Sequence, residues 1–241
     1  MYASLLVKNR APHDCKIDNP SIICVVPSGN FGNLTSGLIA QKMGAPIRGF
    51  VAATNANRTI PDWIATGEYK ARPSIATLSN AMDVGAPSNY ERISAMYTLE
   101  EVRELFASYW LDDEGTSKAI KDCNSKTGYI IDPHGAVGYQ AWNDIRKGAL
   151  DKLTAGVKNP IENPGLTPNL PSWANEVINK QAVGIILETA HPAKFGDIVK
   201  SAIGRDPVMP DRLEKVLSLP NNAIPMENSY EDFKNWLLEN L

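Results

Sequence analysis

The sequence predicts an α/β fold with an open, mainly parallel twisted sheet and helices on both faces. Two short continuous apolar runs, Ser21–Pro27 and residues 182–187, are typical of strands buried on both faces of such a sheet. A third run, residues 47–53, follows the first after an intervening helical pattern, and together they predict a βαβ unit. Of the 241 residues, 43% are hydrophobic, which is enough for a sizeable core.

Helices are predicted from apolar residues that recur at helical spacing. In residues 33–43, Leu34 and Leu38 share one stripe, and Gly44 stands where a left-handed C-terminal cap is expected. Thr98 with Glu101 three residues later predicts a capping box at the start of another helix. The remaining helices are predicted at residues 60–66, 98–110, 117–125, 133–147, 192–203 and 229–241.

Three segments are expected along the chain. Residues 1–20 have no clear period and predict an irregular lead-in, residues 21–204 an α/β domain, and residues 205–241 a C-terminal helical segment. Within the domain, residues 69–90 are predicted as loop and residues 129–132 as a short strand or extended segment. Residues 157–173 contain four prolines, which cannot form an uninterrupted helix or strand, so they predict a surface loop.

Composition narrows the classes of function. The net charge of −3 and a pI near 5.7 argue against a nucleic-acid partner, since binding surfaces for nucleic acid are rich in lysine and arginine. No apolar run approaches the roughly 20 residues that span a bilayer, so no membrane partner is expected. The three cysteines lack C-x-x-C spacing, which favours free thiols in a reducing cytoplasm and predicts no metal site.

The strongest candidate for a binding site is the glycine-containing turn at residues 28–33. It joins a buried strand to a helix, and its glycines permit backbone conformations and close approaches that a Cβ would block. Free N–H groups at the start of the helix, with side chains such as Ser28, Asn30 and Asn33, make the turn suitable for an anion such as phosphate. A tight turn without a ligand is the alternative.

Thr189 is a second candidate because it follows a predicted strand and precedes a helix. Ligands of open α/β sheets bind beyond the carboxyl ends of the strands, so Ser28 and Thr189 are expected at the same edge. A hydroxyl at that edge can hydrogen-bond a ring nitrogen. The alternative is that Thr189 caps the helix that begins near Pro192.

Two further groups have both a functional and a structural interpretation. Asp132 and His134 are candidates for an acid/base pair, although an aspartate before a proline-initiated helix is typical of an N-cap. Arg92 can hold a phosphate or carboxylate with its guanidinium, or form a surface ion pair instead.

Five blocks of the sequence resemble motifs of the threonine synthase family and occur in the family's order. They are Val26-Pro-Ser-Gly-Asn-Phe-Gly-Asn33, Asn80-Ala-Met-Asp83, Ser88-Asn89-x-x-Arg92, Ile131-Asp-Pro-His-x-Ala-Val-Gly138 and Thr189-Ala-His-Pro-Ala-Lys-Phe195. The resemblance runs from about residue 21 to residue 241.

The resemblance implies the fold of the tryptophan synthase β-subunit, known as fold type II of the pyridoxal 5′-phosphate (PLP) enzymes, here incomplete at the N-terminus. It implies a reaction of O-phospho-L-homoserine and water to L-threonine and phosphate. It makes residues 21–204 the domain that binds the cofactor phosphate, and it gives Thr189 the role of hydrogen-bonding the pyridine nitrogen. It suggests contacts from Asn89 and Arg92 to the substrate phosphate. The cofactor phosphate would be held by Ser28, Gly29, Asn30, Phe31, Gly32 and Asn33.

The chain departs from the family at the catalytic lysine. In the family, the lysine that forms the Schiff base lies in an N-terminal segment, well before the glycine turn. Lys8 and Lys16 are the only lysines before the turn here, and neither has the Phe-Lys-Asp-like context of the family. Lys194 belongs to the last block, which the family has in addition to its catalytic lysine. The resemblance therefore implies a C-terminal portion that is inactive alone, with no catalytic residue of its own.

Two other interpretations stay open. The chain can be a non-catalytic binder of PLP or of another phosphorylated metabolite, or it can be half of a split enzyme. The expected partners are the cofactor, a phosphorylated amino acid, and either a separate N-terminal domain or a second copy of the chain. Removal of a domain exposes apolar surface, and this surface favours association.

Overall fold

The computed structural model describes residues 20–147, 165–166, 170–220 and 222–240. The chain divides into two units, the first ending at Pro207 and the second beginning at Val208. The predicted lead-in falls almost entirely outside the described residues, as does most of the predicted proline-rich loop. The predicted domain boundaries at residues 20 and 204 stay predictions.

The first unit is built on a five-stranded sheet of order β4-β3-β2-β1-β5. Strands β1, β2, β3 and β5 are parallel, and the short β4 runs antiparallel to β3. This arrangement confirms the predicted open, mainly parallel sheet. The strands are β1 Ser21–Pro27, β2 Gly49–Thr54, β3 Phe106–Trp110, β4 Gly165–Leu166 and β5 Ala182–Ile186.

Helices cover both faces of the sheet, as predicted. In β2, Val51 and Ala53 belong to the core on one face, while Phe50 and Ala52 belong to the core on the other. The helices are α1 Gly32–Lys42, α2 Thr59–Thr66, α3 Tyr90–Met96, α4 Leu99–Leu105, α5 Asp113–Thr127, α6 Pro133–Arg146, α7 Ala174–Ile178 and α8 Gly196–Ile203. Single 3₁₀ turns occupy Asn80–Met82 and Pro192–Phe195.

The predicted helix at residues 98–110 is wrong in its second half. The capping box between Thr98 and Glu101 is present and begins α4, but the helix ends at Leu105 and the chain continues as β3. All five residues of β3 are buried, and β3 pairs with β2 along its length. A short apolar run fits a buried strand as well as a helix, and sheet pairing decides between them.

Three smaller expectations are also corrected. Strand β5 lies at an edge of the described sheet and is mostly half-buried, so it is not covered on both faces as predicted. Residues 129–132 form no strand, which leaves the extended segment of the two predicted alternatives. The predicted helix at residues 192–203 begins as a 3₁₀ turn and becomes α-helical at Gly196.

The second unit contains the helices α9 Asp211–Leu217 and α10 Tyr230–Asn240. The Ser229 hydroxyl accepts a hydrogen bond from the N–H of Asp232 at 3.3 Å, which confirms the predicted start of the C-terminal helix. None of the residues in these two helices is buried. Across all the described residues, no helix has the length and apolar character needed to cross a membrane.

The register of the strands determines where the site lies. Pro27 at the end of β1 pairs with Ala53 of β2, and Ile186 at the end of β5 pairs with Val25 of β1. The carboxyl ends of these three neighbouring strands therefore meet at one edge of the sheet.

Candidate functional site

A cavity of about 210 Å³ opens at this edge, beyond the ends of β1 and β5. Its lining comes from four separate places in the sequence: Pro27, Ser28, Gly29, Asn30, Phe31, Gly32, Asn33, Ala81, Met82, His134 and Thr189. The seven residues predicted to bind the cofactor are all among them, and Ser28 and Thr189 share one edge as expected. Among the described residues, no group of three His, Cys, Asp or Glu side chains is placed to hold a metal ion.

Phe31 sets the shape of the turn. Its backbone has φ 61° and ψ 20°, a left-handed conformation that is uncommon for any residue other than glycine and costs on the order of 1 kcal/mol. Its side chain is only 2% exposed and packs in the core with Leu34 and Leu38, which offsets that cost. The buried ring thus holds the backbone in a strained turn directly before α1.

The consequence is a concave set of main-chain donors. The first hydrogen bond at the start of α1 runs from the N–H of Thr35 to the carbonyl of Phe31. No described residue accepts a hydrogen bond from the N–H groups of residues 30–33, all of which line the cavity. Successive free N–H groups in a left-handed turn at a helix N-terminus form an anion-binding concavity.

The two glycines of the turn have different surroundings. A Cβ at Gly29 would lie 2.6 Å from the Cα of Met82 and 3.1 Å from the carbonyl oxygen of Ala81, so Gly29 lets the 80–82 turn pack against it. A Cβ at Gly32 would meet nothing nearer than the Asn89 side chain at 3.9 Å. Gly32 is exposed and lines the cavity, so the missing Cβ leaves space for a ligand there.

The polar side chains of the turn are partly engaged within the chain. The Ser28 hydroxyl donates to the carbonyl of Val26 at 2.9 Å. The side-chain oxygen of Asn30 accepts from the N–H and the hydroxyl of Ser88, at 2.6 and 3.0 Å. The main-chain N–H groups therefore provide most of the donors that remain for an anion.

Asn89 and Arg92 do not line the cavity, although both are predicted to contact a substrate phosphate. The Asn89 amide donates to the carbonyl of Asn30 at 2.7 Å, and Arg92 donates to the Asn89 side-chain oxygen at 3.3 Å. Both residues support the turn in this arrangement, and their contact with substrate stays a prediction.

Asp132 has the structural role that the sequence predicted for it as an alternative, and an acid/base role of Asp132 with His134 stays a prediction. The Oδ1 atom of Asp132 accepts from the main-chain N–H of His134 at 2.8 Å, which makes Asp132 the N-cap of α6. The same oxygen lies 2.6 Å from Nδ1 of the His134 ring, and Nε2 accepts from the N–H of Ala81 at 3.2 Å. The ring proton is therefore on Nδ1. His134 connects α6 to the turn that packs over Gly29.

A buried amide network that the sequence does not predict fixes the other side of the same turn. The Asn55 amide donates to the Asp83 carboxylate and to the Thr77 hydroxyl, both at 2.8 Å. Asn57 donates to the Asp83 carboxylate at 3.2 Å, and the N–H of Thr77 donates to Asp83 at 3.0 Å. The signal was the polar stretch directly after β2, where buried amides need partners.

Thr189 does not cap the helix that follows, so the structural alternative for this residue is wrong. The N-cap of the Pro192–Phe195 turn is His191, whose Nδ1 accepts from the N–H of Ala193 at 3.1 Å. Thr189 is exposed at the mouth of the cavity, and no described residue forms a side-chain hydrogen bond with it. Its hydroxyl is thus available to a ligand.

The sequence also does not indicate a role for Glu188, which directly precedes Thr189. Although residue 188 as a whole is exposed, partial burial of its carboxyl group and the neighbouring Asp132 carboxylate raise the pKa of Glu188 from its ordinary 4.5 to about 8. A carboxyl group in this position is mostly protonated at neutral pH. No feature of the sequence around residue 188 signals the contact, because Asp132 is 56 residues away along the chain.

A mainly parallel sheet with helices on both faces, and a turn with free main-chain N–H groups at its carboxyl edge, define an open α/β protein. Comparison with known proteins narrows this class. The sequence model of the threonine synthase C-terminal domain matches residues 172–236.

Threonine synthase from Haemophilus influenzae is 37% identical over 93% of this chain and 45% of its own length. The Escherichia coli enzyme is 34% identical over 83% of this chain and 39% of its own length. The crystal structure of the Escherichia coli enzyme superposes with a TM-score of 0.71 over 97% of this chain and 46% of that one. A PLP-bound threonine synthase from Brucella melitensis has the same TM-score, with 25% identity over 99% of this chain and 49% of that one.

In sequence and in fold, the chain corresponds to the C-terminal portion of threonine synthases. It spans about half the length of the curated relatives that it matches.

Proposed function

We propose that the chain is the part of a threonine synthase that binds the cofactor phosphate, and that its cavity holds the phosphate of PLP. The complete enzyme would convert O-phospho-L-homoserine and water to L-threonine and phosphate. One observation supports this most directly: four distant sequence blocks that resemble family motifs line one cavity at the sheet edge. Many other α/β folds have a tight strand-to-helix turn, but this combination is specific.

The residues fit the group. The free N–H groups of residues 30–33 match the oxygens of a phosphate, and the space left by Gly32 admits a phosphate close to the backbone. Thr189 would offer an uncharged hydroxyl to the ring nitrogen. When bound, PLP supplies an electron sink for a carbanion formed on the substrate. A neutral partner at the ring nitrogen favours less ring protonation than an aspartate would.

Direct binding tests the proposal. The purified 241-residue chain would be titrated with PLP, followed by absorbance and by equilibrium dialysis, in parallel with pyridoxal and inorganic phosphate. We expect PLP to bind, inorganic phosphate to compete, and pyridoxal to bind much more weakly because it lacks the phosphate. Equal binding of PLP and pyridoxal would contradict a phosphate site.

Borohydride reduction separates site binding from chemical modification of surface lysines. Since the resemblance places the Schiff-base lysine upstream of the glycine turn, we expect no lysine of these 241 residues to be modified specifically at the site. Most of the PLP should remain extractable after reduction. Stoichiometric modification of one lysine, blocked by excess phosphate, would show instead that the chain holds the cofactor covalently.

We further propose that the 241 residues alone do not turn over O-phospho-L-homoserine. Among the described residues no lysine lines the cavity, so none of them places an amine there to form a Schiff base with the cofactor. The measurement is phosphate release by the purified chain with PLP added. Release at a rate typical of an intact enzyme would refute this part of the proposal and leave the binding proposal standing.

A further inference from the structure

The carboxyl group of Asp132 is only half satisfied by the residues described so far. Asp132 is fully buried, and its Oδ1 atom already accepts from the N–H and faces the ring of His134. Its Oδ2 atom is also buried and has no conventional hydrogen-bond donor among the described residues. Buried carboxylate oxygens without a donor are rare because desolvation is not compensated.

The side chain of Glu188 provides the missing group. Residue 188 itself is exposed, but its carboxyl group packs against Gly135 in the first turn of α6. A Cβ at Gly135 would collide with this carboxyl group. The absence of a side chain at Gly135 is therefore what admits the Glu188 carboxyl. There it lies within hydrogen-bonding reach of the Asp132 carboxyl.

Among the described residues, no positively charged side chain contributes to the pKa of Glu188. Besides His134, whose ring already joins Asp132 to Ala81, the groups that face Glu188 are Cys123 of α5 and Tyr129 of the segment after it. The proximity of Glu188 contributes to the raised pKa of both Cys123 and Tyr129, so each is neutral at pH 7. Two carboxylates this close cannot both be ionised without a large electrostatic cost.

We propose that Glu188 is a positioning residue, which donates a proton to Oδ2 of Asp132 and so completes a hydrogen-bonded chain from Glu188 through Asp132 and His134 to Ala81. Ala81 lies in the turn that closes the cavity over Gly29. Loss of the Glu188 proton adds a second negative charge beside Asp132, which disturbs the chain and loosens that wall. The inference rests on the proposed function only for the identity of the ligand.

The direction of the pH effect follows from the raised pKa. The folded chain keeps a proton on Glu188 up to about pH 8, whereas the unfolded chain releases it near the ordinary value of 4.5. Between these two values the folded form binds more protons, so stability falls as pH rises through this window. The contribution is fully present below the lower value and is lost above the upper one.

Three measurements on the unliganded chain test the protonation state of Glu188 and its effect on the Ala81 turn. They are the carboxyl ¹³C shift of Glu188, the melting temperature, and the protection of the Ala81 amide from hydrogen exchange, corrected for intrinsic exchange at each pH. Between pH 6.5 and 9.5, we expect the shift to titrate near pH 8 while the melting temperature and Ala81 protection fall.

The conservative variant Glu188→Gln keeps a donor to Asp132 but cannot ionise. It should keep the low-pH protection of Ala81 throughout and show a smaller change in melting temperature over this pH range. Glu104→Gln, an exposed glutamate of α4, serves as the matched control and should behave as the unmodified chain. A Glu188 shift that titrates near 4.5, or Ala81 protection with the same pH profile in Glu188→Gln and the unmodified chain, would overturn the proposal.

Binding of PLP provides the link to the cavity. Between pH 7 and pH 9, we expect the affinity for PLP to fall several-fold more in the unmodified chain than in Glu188→Gln. Because PLP itself titrates equally in both experiments, its own ionisation does not contribute to the difference between the two chains. If both chains bind PLP with the same pH profile, the positioning role is wrong although the cavity binds PLP. If neither binds PLP at any pH, the proposed function fails, and the three readouts without ligand still decide the state of Glu188.

Discussion

The ring of His134 accepts a hydrogen bond from the main-chain N–H of Ala81 at 3.2 Å, across 53 residues of sequence. This contact joins the first turn of α6 to the short turn that packs over Gly29. His134 is 2% exposed, and its ring also packs edge-on against Phe195 at 4.9 Å. One imidazole therefore links two of the four sequence regions that form the cavity.

Replacement of His134 tests this link. His134→Ala removes the acceptor of the Ala81 N–H and the ring donor to Asp132, and we expect the free energy of unfolding to fall by about 1–3 kcal/mol. His134→Gln should recover part of the loss, since its amide can both donate and accept. Urea unfolding measures stability, and hydrogen exchange at Ala81 reports the contact. Equal loss in both variants would argue for packing alone.

The two glycines of the turn should respond differently to an added methyl group. Gly29→Ala forces the backbone of Met82 to move, so we expect a loss of about 1–3 kcal/mol in stability together with weaker ligand binding. Gly32→Ala should leave stability nearly unchanged and weaken PLP binding at least tenfold, because the methyl group occupies the space proposed for phosphate. Thermal unfolding and equilibrium dialysis measure the two effects. Intact binding by Gly32→Ala would show that the phosphate lies elsewhere.

Thr189 should affect the ligand but not the fold. Thr189→Val removes a hydroxyl that no described residue uses, so the melting temperature should stay within about 1 °C of the unmodified chain. If the hydroxyl binds the ring nitrogen, PLP affinity should fall several-fold, in line with one hydrogen bond of about 1 kcal/mol. Thr189→Ser should restore it. Identical absorbance spectra and affinities in all three chains would exclude the contact.

The sequence predicted the layered architecture because the buried strands read as unbroken apolar runs. It failed at residues 106–110, where Phe106 to Trp110 follow a well-capped helix without a break. An apolar run of five residues carries no period long enough to distinguish strand from helix, and pairing with β2 decides the outcome. The half-buried state of β5 could not be predicted from the sequence either, since it depends on which elements pack beside the strand.

For the site, the sequence identified the groups at the strand end but not the groups that support them. The common location of Thr189 and the turn at residues 28–33 was predictable because the carboxyl ends of parallel strands lie at one edge of a sheet. The contact of Glu188 with Asp132 depends on the close approach of two distant segments at Gly135, which no local pattern encodes. The network around Asp83 was missed for the same reason.

That network leads to a fourth prediction, at Asn55. This residue is 1% exposed, and its amide nitrogen lies within hydrogen-bonding distance of Thr77, Ser79 and Asp83. Asn55→Ala leaves several of these buried groups unpaired, so we expect a loss of about 2–4 kcal/mol in the free energy of unfolding.

Asn55→Ala should also alter the cavity wall, because the network holds the turn that contains Ala81 and Met82. We therefore expect weaker PLP binding by Asn55→Ala at temperatures where it is still folded, with faster hydrogen exchange at Ala81. Asn80→Ala is the matched control: Asn80 is an exposed asparagine in the same turn, and its loss should change stability by less than about 0.5 kcal/mol. If Asn55→Ala lost stability while Ala81 exchange and PLP binding stayed normal, the network would support the fold without positioning the cavity wall.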